Sequence, residues 1–522
     1  MKNHITNRTF TAALLILAIF STGSLAFSRN SSVDIQAVHR LPKIHPDYSE
    51  IVLPPNIAPL NFIIREPGTK YRVRFSALNG ESLDISGNSA KIDIPMKKWK
   101  KLLQANRGGQ LRLEVFTWTN DEAWKRYDPV INRIARDSID GYLAYRIINP
   151  AYTRWRDMGI FQRHLETFDE KPILINKETD GNCMNCHNFC NNDPDKMMLH
   201  LRAGKASGTL IGRDGTFVKV NTATKFTKAG AYPSWHPNGR IIAYSINQLE
   251  MFFHATGEPR DVLDRGADLI VYNIETNTVT TSPLISDPER MESFPAWSPD
   301  GHTLYFCSSP KFESYIEGPT YHHDQVLYDL MRIPYRPENG TWGELETVLA
   351  AAKTGKSISM PRISPDGRYL LFCMAKYGNF PVYMPDGDLY LLDLNDNEYR
   401  AVASDSSQAD TFHSWSSNSR WFVFSSKRGD GICARPYIAH IDEQGVVGKP
   451  FVVPQKDPAF YDTFLKTYNV PELITGPVKV RPQQLVKVAY DDNNKKDAQL
   501  DPAVVHFKTK SAGDKQYAPA PQ

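Results

Sequence analysis

The sequence predicts a mainly β fold: a β-propeller of five to seven blades, preceded by a β-sandwich-like domain and a short segment rich in cysteine and histidine. Three observations predict it. Apolar and polar residues alternate with period two in several early segments. The composition leans toward strands and turns, with 31 Gly, 36 Pro and 11% aromatic residues. One phrase recurs at long intervals through the second half of the chain. At roughly 100–200 residues per domain, 522 residues suggest two or three domains. The net charge of +3 leaves no electrostatic footprint for nucleic acid.

The N-terminus reads as a secretory signal over residues 1–26. Lys2 and Arg8 supply its positive end, and Phe10 to Phe20 form an apolar core too short to cross a bilayer, which needs about 20 residues. Ser24-Leu25-Ala26 fits a small-x-small cleavage site. The expected location is the periplasm, with no membrane span after cleavage. No Cys near that point suggests a lipid anchor.

Residues 31–170 are expected to form the β-sandwich-like domain. The alternation at 71–75, 91–94 and 111–116 would bury one face of an antiparallel sheet, and Met96 to Leu103 reads as a short helix between strands. No residue there has catalytic spacing, and the domain reads as structural or docking.

Residues 171–205 hold the chemistry. Cys183-Met184-Asn185-Cys186-His187 is a Cys-x-x-Cys-His phrase, whose two thiols can add to the vinyl groups of a haem while the following His takes the iron as proximal ligand. From six Cys and 14 His in the chain, chance gives such a phrase about 0.002 times. Export agrees, since haem is attached outside the bacterial cytoplasm. One covalent haem c is therefore expected, on a loop running into a short helix near Asp195–Leu201. Rival readings are a zinc site built from Cys183, Cys186, Cys190 and His187, which lacks a second Cys pair, and a thioredoxin-like thiol pair, which lacks a βαβ context. A disulfide between Cys183 and Cys186 would be strained. Cys190 receives no role. For the sixth iron position His200 ranks first, Met198 (beside Met197) second, and a loop His such as His322 third; an open position is the other possibility. Arg202 could pair with a haem propionate.

Residues 206–455 carry the repeat. Its copies are Tyr232-Pro233-Ser234-Trp235-His236-Pro237-Asn238-Gly239, Phe294-Pro295-Ala296-Trp297-Ser298-Pro299-Asp300-Gly301, Met360-Pro361-Arg362-Ile363-Ser364-Pro365-Asp366-Gly367 and Phe412-His413-Ser414-Trp415-Ser416-Ser417-Asn418-Ser419. Each reads as strand, tight turn and second strand. Ten residues after each Trp or Ile position comes a small residue, Ser245, Cys307, Cys373 or Ser425, as a tapering propeller core demands. Cys307 and Cys373 are thus expected as buried strand residues, not a disulfide. Copies lie 62, 66 and 52 residues apart, and the excess over a blade of roughly 40–45 residues always follows the second strand. Those loops should share one face. They include His254, His322, His323 and the stretch from Tyr377 to Pro385. Residues 456–522 read as a C-terminal extension, partly disordered from Asp491 onward.

The phrase resembles the TolB-type (WD-type) β-propeller, over about half the chain; Ile363 in place of Trp and Ser417-Asn418-Ser419 in place of Pro-Asp-Gly depart from it. The resemblance implies a periplasmic platform that docks a protein partner. Joined to a haem motif, it resembles a class of bacterial envelope proteins; a single haem points to electron transfer or redox sensing, with a redox or envelope protein docking on the loop face. No catalytic residue is assigned, and a non-enzymatic role is favoured. The alternatives are a TolB-like scaffold for protein or glycan with a structural haem, and a haem peroxidase or propeller hydrolase.

Overall fold

The structure, a computed structural model, describes residues 35–506 except 120–122, 151–156, 203, 225–226, 253–260, 312–315, 318–319 and 403–405. The signal segment, His254 and residues 507–522 lie outside the described residues.

The early alternation does what its period requires. Lys70–Ser76 and Gln110–Trp118 pair antiparallel with every second side chain buried, in a seven-stranded sheet. A three-stranded sheet formed by Ile44–His45, Phe62–Ile64 and Lys91–Ile92 accompanies it. The expected helix spans Met96–Ala105 and buries Trp99, Leu102 and Leu103.

Six radial sheets follow, and they form a six-bladed propeller. The innermost strands are Cys183–Phe189, Ala231–Trp235, Arg290–Trp297, Ser357–Ile363, Asp410–Trp415 and Thr467–Ile474. Each packs against the next, and the last packs against the first, so the ring is closed. The closure joins the two ends of the fold: Thr467–Ile474 pairs with Tyr142–Ile148, and Gly159–His164 and Glu170–Ile175 complete that blade. We call it blade 1, and blades 2 to 6 follow in chain order.

This topology corrects four expectations. Residues 171–205 are not a separate segment, because Cys183–Phe189 and Lys196–Arg202 are the first two strands of blade 2, completed by Gly208–Arg213 and Thr216–Asn221. The helix expected near Asp195–Leu201 is a strand. Its Met-Met-Leu-His-Leu run is apolar on both sides because a blade strand is covered on both faces by neighbouring blades. The propeller begins at Tyr142 and not at 206; blade 1 escapes notice because its innermost strand is supplied more than 300 residues later. The C-terminal extension is built into the fold: beyond the closing strand it forms a helix, Pro482–Ala489, and adds Lys496–Asp497 and Gln499–Leu500 to the outer edges of blades 2 and 3.

Cys307 and Cys373 are buried strand residues with free thiols, as expected. Ser245 and Ser425 are equally buried.

Candidate functional site at the channel mouth

Every innermost strand carries the same irregularity. In blade 3, Tyr232-Pro233 stand opposite the single residue Tyr244. Phe294-Pro295, Met360-Pro361, Phe412-His413 and Val470-Pro471 repeat this two-against-one bulge in blades 4, 5, 6 and 1. The first residue of each pair has φ between 46° and 55°. For side chains as large as Phe, or branched as Val, that is a strained backbone, of the kind that redirects a side chain. All five of these first residues line one cavity at the mouth of the central channel. Pro suits the second position, where the ladder is already interrupted.

In blade 2 the bulge pair is Cys186-His187, opposite Leu199. The Cys-x-x-Cys-His phrase is therefore also blade 2's version of the repeat, with Phe189 at the Trp position. The match was hidden because Asn191 to Asp195 lengthen the turn and Phe replaces Trp.

Two blades place His in the second bulge position, and the two rings differ. His413 is buried and satisfied: Nε2 lies 3.0 Å from the Leu371 carbonyl oxygen and Nδ1 3.9 Å from Cys373 Sγ. His187 is 1% exposed, and neither ring nitrogen has a hydrogen-bond partner of normal geometry. Burial pushes its pKa down to about 3, nearby Arg146 adds to this, and the Val470 backbone opposes it. An unprotonated imidazole on a cavity wall, its nitrogens in no hydrogen bond of normal geometry, suits metal ligation.

Cys183, Asn185 and His187 line the cavity. Cys186 lies in the strand between them, its side chain outside the described residues. Arg202 is the cross-strand partner of Cys183, its Nη2 3.7 Å from the thiol, and it lines the cavity. His200 and Met198 do not. His200 is buried within blade 2 with Nδ1 2.9 Å from Thr209 Oγ1, and Met198 packs between blades 2 and 3, accepting from the Tyr244 hydroxyl at 3.6 Å. Burial pushes the His200 pKa down to about 4. His322 sits near Gln325, 3.1 Å away, off the cavity wall. Cys190 is sealed in the blade 2–3 core, its thiol donating to the His236 carbonyl at 3.6 Å. Burial raises that thiol to about 11. It thus stands apart from the cavity that a zinc site would need. Among the described residues, no three His, Cys, Asp or Glu converge as a metal-binding group.

Of the rest of the wall, only the Tyr377–Pro385 stretch was singled out from the sequence. Leu249 and Val262 reach it from blade 3's long hairpin, and Phe380 and Tyr383 from the Tyr377–Pro385 stretch. The elongated loops of blades 3 and 5 thus reach the cavity. Arg146 and Arg362 add positive charge. Glu472 also lines the wall, accepting from Asn188 Nδ2 at 2.9 Å and the Phe189 amide at 3.1 Å; burial raises it to about 7, while Asn188 and Arg362 oppose the shift. Arg362 and Glu472 also border a second opening at the far end of the channel, ringed by the Trp-position residues Phe189, Trp235, Trp297, Ile363, Trp415 and Leu473.

No protein-family profile matches the chain, and no curated protein matches it. Solved structures resemble it at the level of fold. An oligogalacturonate lyase from Vibrio parahaemolyticus is 13% identical over 55% of this chain and 84% of its own, with a TM-score of 0.31. A putative 6-phosphogluconolactonase from Bacteroides uniformis is 11% identical over 64% and 98%, with a TM-score of 0.34. A chain of a nidogen/laminin complex is 8% identical over 65% and 100%, with a TM-score of 0.37. None of these carries an activity to this chain; the propeller class rests on its own sheet topology. No described helix is long and apolar enough to cross a membrane.

Proposed function

We propose that the protein is an exported c-type cytochrome built on a TolB-like propeller, which holds one covalent haem at the channel mouth for electron transfer or redox sensing in the periplasm. The observation that carries this reading is His187, buried on the cavity wall with neither ring nitrogen in a hydrogen bond of normal geometry, at the end of a Cys-x-x-Cys-His phrase. When bound, the haem would supply an iron that cycles by one electron. The chain's own groups have definite tasks. Cys183 and Cys186 would each add a thiol S–H across a vinyl C=C, giving thioethers. His187 would be the proximal ligand. Arg202 would face a propionate. Phe294, Phe380, Phe412 and Met360 would keep water from the iron and favour the less charged state. The loop face around the mouth would dock the redox partner.

One observation favours a second reading. Cys186-His187 fills a slot that every blade possesses, so the phrase has a structural reason to exist without haem. The chain would then be a TolB-like binding scaffold. The reduced pyridine haemochrome spectrum separates the two. Chain exported through haem-attachment machinery should give a c-type spectrum that survives denaturation and disappears in Cys186→Ala. A colourless wild-type protein would leave the scaffold reading in its place.

A further inference from the structure

The channel mouth contains a buried cation that the haem motif does not explain. Arg146 lies on the second strand of blade 1 and is 8% exposed. Its Nη1 donates to the Met184 carbonyl at 2.8 Å and to Asn185 Oδ1 at 2.5 Å, and its Nη2 donates to Asn469 Oδ1. All of these acceptors are neutral. Its Nε is buried without a partner, and so is Nδ2 of Asn469 beside it. Among the described residues no carboxylate pairs with Arg146. A buried guanidinium with no counter-ion, next to a second orphaned donor, is unfavourable unless something anionic completes it. Arg202 and Arg362 line the same cavity, and its walls carry Phe294, Phe380 and Phe412.

We infer that the channel mouth is a binding site for a carboxylate on a flat, apolar body, with Arg146 as its anchor. The carboxylate's two oxygens would accept from Arg146 Nε and Asn469 Nδ2, and the body would lie among the phenylalanines. The anchor is built by blade 1 and the closing strand, so the site exists before any thioether forms. The carboxylate has two possible sources. One is a haem's own propionates, an assignment that rests on the cytochrome reading. The other is a free aromatic carboxylate, which does not.

The probe is 2-naphthoate, with neutral 2-naphthamide as control, titrated calorimetrically into the full-length chain made without haem-attachment machinery. The site predicts one binding event, about ten-fold or more tighter for the naphthoate. Arg146→Gln should erase the preference, and Arg146→Lys should keep part of it even if the Gln variant folds poorly. Equal binding of both probes, or a preference that survives in folded Arg146→Gln, overturns the site. The same titration on haem-loaded protein identifies the source: exclusion of naphthoate assigns the site to propionates, and undiminished binding assigns it to a free carboxylate. A chain that never takes up haem but still prefers naphthoate keeps the site while the cytochrome reading fails.

Discussion

His187 and His413 occupy the same slot of the same repeat, yet only one has its hydrogen bonds. That contrast predicts different costs of removal. His413→Ala strands the Leu371 carbonyl inside the core and should destabilise the haem-free chain by about 1–3 kcal/mol. His187→Ala breaks no hydrogen bond of normal geometry and should cost less, mainly lost packing. Denaturant unfolding of the two variants checks the order; equal losses would mean that His187 is an ordinary core histidine. At this scale the sequence was informative where chemistry is local. Cys183, His187 and Arg202, each named from the sequence, all line the cavity. Arg146 and Glu472 were not legible, because they reach the site only through pairing across more than 300 residues. His200 and Met198 were misplaced because a helix reading turned them toward the iron, whereas the strand turns them toward Thr209 and blade 3.

At the scale of elements, the six bulges and the closing strand set the site. The bulge pairs were visible as Tyr-Pro, Phe-Pro and Met-Pro, but their function of aiming side chains into the channel requires the ring. Four blades were readable from the Trp-Ser-Pro-Asp-Gly phrase. Blades 1 and 2 lacked it, one because its inner strand is borrowed from the C-terminus and one because its turn is altered. The closing strand should therefore be energetically central. Tyr468 on it is 1% exposed, packed against Tyr145, Tyr461 and Phe464. Tyr468→Ala should cost about 3–5 kcal/mol, read from the shift of the denaturant midpoint. The loop face has its own tie. Asp264 on blade 3's hairpin accepts from Asn247 Nδ2 at 2.8 Å and from Asn379, next to Phe380 in the blade 5 loop. Burial raises the Asp264 carboxyl to about 7, while both amides oppose the shift. The unfolded chain releases this proton near about pH 4 and the native chain only near 7, so stability should fall as pH rises across that window. Asp264→Asn should flatten the fall in melting temperature between pH 4 and 7; an unchanged profile would remove Asp264 from the account.

Across the whole molecule, the first domain and the propeller share one core. Trp421, Val423, Ile438 and Phe451 of blade 6 pack into the same cluster as Trp99, Leu113 and Val115, and Trp421 Nε1 donates to the Asp137 carbonyl at 3.1 Å. Unfolding should therefore be a single calorimetric transition, and Trp421→Ala should lower it without splitting it; two separated transitions would contradict the shared core. The sequence divides the chain near 170 and 206, but those borders mark only where the Cys-x-x-Cys-His segment and the repeat region begin. The fold's real seam is the closing strand, which holds the two ends together and sets the wall facing His187. The most direct test of the central claim is iron-edge anomalous diffraction from crystals of the protein made with haem-attachment machinery. The account predicts one iron at the channel mouth, bound by the His187 imidazole. No iron, a zinc signal, or an iron away from His187 would contradict it.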